Sequence, residues 1–206
     1  MTTLSHIHLF EPGATDRGLL LLHGTGGDEH DLIGLGQAIA PGASLLSPRG
    51  QVKEGHANRF FRRMAEGVFD IPDLKARTQA LADFVVEAQK LYGLAPPVAL
   101  GFSNGANIAA SLLLLRPEVL SGAILLRATL PFEPDRLPDL SGKRVLLLSG
   151  KADPMTPAAA SDRLAALLRQ AGASVDHEIL PAGHGLTQHD LVLTRNWWNQ
   201  RAAHVA

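Results

Sequence analysis

The chain has 206 residues, 46% of them hydrophobic, which is enough for one domain with a sizeable core and too little for a large second domain or lid. A formal net charge of −1 gives no electrostatic reason to expect nucleic acid or an anionic membrane surface as partner, since both select strongly basic faces. With no cysteine, disulfides, thiolate metal sites and a cysteine nucleophile are excluded together.

Residues 1–10 lack the basic start and continuous apolar run of a signal peptide, and no apolar stretch approaches the length of a membrane span. A cytoplasmic protein without integral membrane contact is therefore expected. Residues 4–10 alternate in polarity, which predicts a half-exposed edge strand closed by Glu11-Pro12-Gly13. His6 and His8 fall on one side of it, expected to face solvent. No third ligand stands nearby, so no metal is expected there.

Gly18-Leu19-Leu20-Leu21-Leu22 predicts a fully buried strand running into His23-Gly24-Thr25-Gly26-Gly27-Asp28-Glu29. Three glycines in that loop let backbone N–H groups converge on one point, as an oxyanion requires, and a helix over 28–40 would add its positive N-terminal end. The loop matches neither the dinucleotide Gly-x-Gly-x-x-Gly pattern nor the P-loop, so nucleotide binding is not expected. Residues 43–47 form a third strand. Residues 51–72 read as a long irregular segment with Phe60, Phe61, Met64 and Phe69 among charges, and Arg59, Arg62 and Arg63 read as a solvated basic cluster. Its aromatics are candidates for lining a substrate pocket or for capping the core.

Residues 73–92 show helical spacing of Leu74, Leu81, Phe84, Val85, Ala88 and Leu91, with Gly93 as the stop. An apolar strand over 97–100 then enters Gly101-Phe102-Ser103-Asn104-Gly105, and residues 108–115 are apolar on nearly every side, as a helix against a sheet should be. A serine in a Gly-x-Ser-x-Gly turn between strand and helix sits at a strained corner with its hydroxyl in the open. Ser103 is the candidate nucleophile.

Further strands are expected over 121–127, 143–149 and 175–180. Residues 128–140, with Pro131, Pro134 and Pro138, form a connector whose apolar Leu130 and Phe132 are candidates for overhanging the site. Thr156 and Pro157 read as an N-cap and first helical residue, leaving Asp153 on the loop before them; that helix ends near 171 at Gly172. A last helix from 188 to about 203 brings Trp197 and Trp198 as packing residues.

Strands alternating with helices predict a mainly parallel, doubly wound sheet covered on both faces, with sites beyond the strands' carboxyl ends. A serine hydroxyl needs a base within hydrogen-bond reach, and imidazole suits neutral pH. His184, between Gly183 and Gly185 after the last strand, is the favoured base, the glycines leaving room for its ring. Asp153 is the carboxylate placed to orient it, and the chain order Ser, Asp, His is that of an α/β-hydrolase triad.

Four pieces, Leu22-His23-Gly24-Thr25-Gly26-Gly27-Asp28, Gly101-Phe102-Ser103-Asn104-Gly105, Gly150-Lys151-Ala152-Asp153-Pro154 and Gly183-His184, resemble the carboxylesterase/phospholipase family of small α/β-hydrolases, which includes acyl-protein thioesterases. The resemblance spans nearly the whole chain. It implies an oxyanion hole from the backbone N–H groups of Thr25 and Asn104, and an esterase needing no cofactor. Asn104-Gly105-Ala106 stands where the thioesterases usually have Gln-Gly-Gly, a departure that leans toward bacterial esterases of small molecules. A thioesterase or lysophospholipase using the same triad is the alternative, and a non-catalytic binding protein on the same scaffold is another. The sequence leaves oligomeric state open, a homodimer included.

Overall fold

A computed structural model describes residues 4–14 and 16–202. Its main sheet has seven strands: β1 (His8–Glu11), β2 (Gly18–Leu22), β3 (Ser44–Pro48), β8 (Val98–Phe102), β9 (Gly122–Leu126), β10 (Arg144–Gly150) and β11 (Ser174–Leu180). Their order across the sheet is β1-β3-β2-β8-β9-β10-β11, and every pair is parallel except β1 with β3. The mainly parallel architecture expected from the sequence is therefore present.

The leucine run of β2 explains why this sheet needs cover on both sides. Leu20 and Leu22 point into one core with Ala99, Leu125 and Leu147, while Leu19 and Leu21 point into the other with Leu100, Ile124 and Leu148. Successive strand residues face opposite ways, so an unbroken apolar run is soluble only between two layers of helix. Helices α2 (Ile71–Tyr92), α3 (Asn104–Leu115) and α4 (Ala158–Gln170) supply the first layer. Helices α1 (Ile33–Ile39) and α5 (Gln188–Ala202) supply the second, where Ile39, Trp197 and Trp198 are buried. Each fully buried leucine contributes roughly 1.5–3 kcal/mol relative to exposure.

Several local expectations are corrected. His6 precedes β1 and is buried rather than solvent-facing; its ring packs 4.8 Å from Phe84, and His8 bonds Tyr92 Oη at 2.7 Å while its ring packs on Phe84 too. Burial, with Arg77 and His8 nearby, lowers the His6 pKa to about 4, so the ring is neutral at pH 7. The helix expected over 28–40 is only the seven residues of α1, because Asp28 accepts from the His30 N–H in a local turn and Glu29 is drawn away into a bidentate pair with Arg49. Its N-terminus therefore lies too far along to serve the glycine loop.

Residues 51–72 are not irregular. They form two small hairpins, β4 (Val52–Glu54) with β5 (Ala57–Arg59), and β6 (Arg63–Ala65) with β7 (Val68–Phe69), turned at Gly55 and Gly67, both at positive φ. Helix α2 begins two residues before the expected start because Asp70 caps it, accepting from the Asp73 N–H. Helix α4 begins at Ala158 with Pro157 as N-cap, since the Thr156 hydroxyl is engaged elsewhere. The expected end of the last helix near 203, and the first three residues of the N-terminal reading, lie outside the described residues.

Candidate active site

Four strands end at one place. Ser103 follows β8 with φ 52° and ψ −112°, a left-handed conformation a non-glycine residue holds only when its surroundings impose it. Its N–H is tied to Leu126 O at 2.9 Å, and the chain turns directly into α3. The flanking glycines are needed for close approach: a Cβ on Gly105 would meet Leu22 O at 1.9 Å, and one on Gly101 would meet Gly105 O at 2.5 Å. A side chain at Gly105 would push α3 off β2, and one at Gly101 would push α3 off β8.

His184 lies beyond β11 and Asp153 beyond β10. The Ser103 hydroxyl and His184 Nε2 are 3.0 Å apart, and His184 Nδ1 lies 2.8 Å from Asp153 Oδ2. Asp153 has more partners than His184 alone. Its Oδ1 accepts from the N–H groups of Met155 and Thr156, at 2.8 and 3.1 Å, and its Oδ2 from the Thr156 hydroxyl. Burial pushes the Asp153 pKa up, but the hydrogen bonds from Thr156, His184 and those backbone groups outweigh it and hold the carboxyl below its ordinary range. An ionised carboxylate only accepts, so Nδ1 carries the ring proton and Nε2 is left to accept from Ser103.

Two backbone donors face the same space. Among the described residues, the N–H groups of Thr25 and Asn104 donate to nothing, whereas their neighbours Gly26 and Gly27 are bonded to Asn58 O and Gly24 O. The β4–β5 hairpin steadies both donors. Asn58 Nδ2 donates to Gly27 O, Arg59 Nη1 to Thr25 Oγ1, and the Phe60 N–H to Asn104 Oδ1. His23 anchors the other side of the loop: its Nδ1 donates to Gly24 O and its Nε2 accepts from the Gly50 N–H. Desolvation lowers the His23 pKa, in keeping with that neutral ring.

Ser103, His184, Thr25 and Asn104 all line a cavity of about 670 Å³. Of the aromatic and apolar pocket candidates, Phe69 and Leu130 line it. Phe60, Phe61 and Phe132 do not; they are buried in the core beneath, Phe60 against His23 and Phe61 edge-on to Phe69. Arg59, expected in solvent, is buried and lines the cavity, as does Arg63.

One residue of the site escaped the sequence reading. Arg127, at the end of β9, is fully buried at φ 60°. It donates to the carbonyls of Gly183 and Gly185, at 3.0 and 3.1 Å, and pairs bidentately with Asp190 at 2.7 and 2.9 Å. The glycines beside His184 thus matter through their carbonyls, since a Cβ on either would meet nothing closer than 3.8 Å. Burial pushes the Asp190 pKa up, but Arg127 and Thr187 overcome this and hold it low. The available signal was Thr187-x-x-Asp190 at the head of a helix, a reciprocal capping pattern that the structure forms.

A second serine–histidine–aspartate string shows what such a site also requires. Ser149 Oγ lies 3.0 Å from His177 Nε2, and His177 Nδ1 3.5 Å from Asp162, but Ser149 is fully buried within β10 and out of reach of any substrate.

No protein-family model matches the chain. It is 46% identical over 195 residues to MhqD of Bacillus subtilis (strain 168), which carries the name of a hydrolase, covering 94% of this chain and 98% of that one. The fold is similar to that of a carboxylesterase from Bacillus cereus, with TM-score 0.91, 42% identity and coverage of 93% and 92% of the two chains. A carboxylesterase from Mesorhizobium loti follows at TM-score 0.84 and 37% identity, covering 91% and 90%. Sequence and fold thus agree over nearly the whole length, and the chain belongs to the α/β-hydrolases, as an ester hydrolase of the carboxylesterase/phospholipase family.

Proposed function

We propose that the chain hydrolyses small-molecule carboxylic esters in two steps through an acyl-enzyme on Ser103. The observation that carries this reading is the hydrogen-bonded string from Ser103 Oγ through His184 to Asp153, set in a cavity beside two N–H groups that have no acceptor among the described residues. His184 Nε2 takes the Ser103 proton as Oγ attacks the carbonyl carbon. The carbonyl oxygen becomes an oxyanion held by the N–H groups of Thr25 and Asn104, each worth about 3 kcal/mol in the transition state. Nε2 then protonates the departing alkoxide oxygen, leaving the acyl group on Ser103. Water attacks this ester with Nε2 again as base, and collapse returns the proton to Oγ and releases the carboxylic acid. Asp153 keeps the ring in the required tautomer and stabilises the imidazolium. The 12-residue α3 directs its positive end at the forming oxyanion.

A fluorophosphonate probe is expected to modify Ser103, located by peptide mass spectrometry. Turnover of p-nitrophenyl acetate by protein in which Ser103 stays unlabelled overturns the assignment.

Arg127 positions the base in this scheme without touching substrate. Lysine in its place keeps a cation for Asp190 but cannot span that carboxylate and two carbonyls at once. Arg127→Lys is therefore expected to lower kcat on the order of 10- to 100-fold with KM little changed, as steady-state kinetics would show. A fall in stability with kcat intact would assign Arg127 to the fold alone.

A further inference from the structure

The cavity is not chemically uniform. Phe69, Ile71, Leu130 and Met155 contribute apolar lining, while Arg59 and Arg63 from the two hairpins contribute charge. The Arg59 side chain is only 4% exposed. Its Nε donates to Phe61 O and its Nη1 to Thr25 Oγ1, but Nη2 makes no hydrogen bond among the described residues. Glu54 serves as the counter-ion to both arginines, 3.3 Å from Arg59 and 2.9 Å from Arg63, so one carboxylate is shared between two guanidinium groups and lies outside the lining. Glu66, the acid in the lining, is exposed at the β6–β7 turn, where water screens it.

A second donor is without a partner. Asn104 Nδ2 is buried with nothing to donate to among the described residues, and its orientation is fixed because Oδ1 accepts from the Phe60 N–H, next in the chain to Arg59. A guanidinium that shares its carboxylate with a second arginine and leaves Nη2 without a hydrogen bond, together with the unmatched amide N–H, gives this part of the cavity more donors than the described residues supply acceptors. The complementary group is a planar anion with several acceptor lone pairs, and a carboxylate fits both the charge and the fork.

We propose that the ester accepted at this site carries a carboxylate which docks on Arg59, its other end lying against the apolar lining. This rests on the esterase reading above. Because Arg59 also bonds Thr25, an oxyanion donor, the carboxylate sits within a few bonds of the scissile carbonyl. Monoesters of short dicarboxylic acids have this form.

The test compares monomethyl glutarate with methyl valerate, which match in chain length and differ in the terminal carboxylate, by following acid release in a pH-stat. The charged ester is expected to have kcat/KM about tenfold or more higher. Arg59→Met should erase that ratio, and Arg63→Gln should reduce it. If Arg59 only braces Thr25, Arg59→Met slows both esters equally and the ratio survives, which overturns the proposal. A wild-type ratio of one or below overturns it too. Should Arg59→Met fail to fold, sodium chloride decides on the wild type: KM rises with salt for the glutarate ester alone, and parallel behaviour of the two esters counts against the anchor. Ser103 labelling by the fluorophosphonate separates the two readings. With the label present and no charge preference, the carboxylate proposal fails and the esterase reading stands; with the label absent and neither ester cleaved, the esterase reading fails.

Discussion

Ser103→Ala is expected to lower kcat for p-nitrophenyl acetate by about 10⁶-fold while the protein remains folded. The hydroxyl's recorded bond is to His184 Nε2, so its loss leaves the core untouched and the base with water to hold. Slow residual turnover should persist, because Thr25 and Asn104 still present their N–H groups to the carbonyl oxygen. A companion variant separates chemistry from strain. Ser103→Gly is equally inactive but is free of the strain that alanine, like serine, bears at φ 52°, and should exceed Ser103→Ala in stability by about 1 kcal/mol in urea unfolding. Turnover in Ser103→Ala within tenfold of wild type would move the nucleophile elsewhere.

Asp153→Asn is expected to cost about 10⁴-fold in kcat, through a proton in the wrong place. Two backbone N–H groups point at Oδ1, so the amide oxygen of the asparagine must take that position. Its NH₂ then occupies the Oδ2 position and donates to His184 Nδ1, while the Thr156 hydroxyl rotates to accept. With Nδ1 accepting, the ring proton moves to Nε2, and the base can no longer take the Ser103 proton. The defect should appear in kcat, with thermal unfolding shifted by a few degrees at most. Equal kcat in the two proteins would show that Asp153 is not the orienting group.

The parallel sheet, the helices on both faces and the strand-end places of Ser103, Asp153 and His184, which the structure brings within hydrogen-bond distance, were legible in the sequence because each has a local signature. The Gly-x-Ser-x-Gly turn follows an apolar strand, and Asp153 and His184 follow strands in the expected order. The errors share a cause in tertiary contacts that no window of sequence carries. The sequence leaves Phe60 and Phe61 open between pocket and core, and the hairpins turn both into the core and bring Arg59, expected in solvent, to the cavity. Strands of two or three residues, such as β5 and β7, are too short to display alternation. Arg127 was invisible because its side-chain partners are 21 to 63 residues away. Glu29 illustrates the same point for α1: its carboxylate prefers Arg49, 20 residues on, to a place in a helix.

Strand β11 lies at the margin of the sheet, with β10 as its single neighbour, and its outer residues are mostly exposed. Ser103 instead rises from β8, between β2 and β9 and under α3. His184 and Ser103 are therefore expected to belong to regions that open at different free energies, as amide hydrogen exchange would report them. Peeling of β11 would carry the His184 loop away from Arg127 while the turn at Ser103 is still intact. Loss of activity on warming should then precede collapse of the fold and reverse on cooling, so the working temperature range is expected to be set by the edge that carries His184 and not by the leucine layers at the centre.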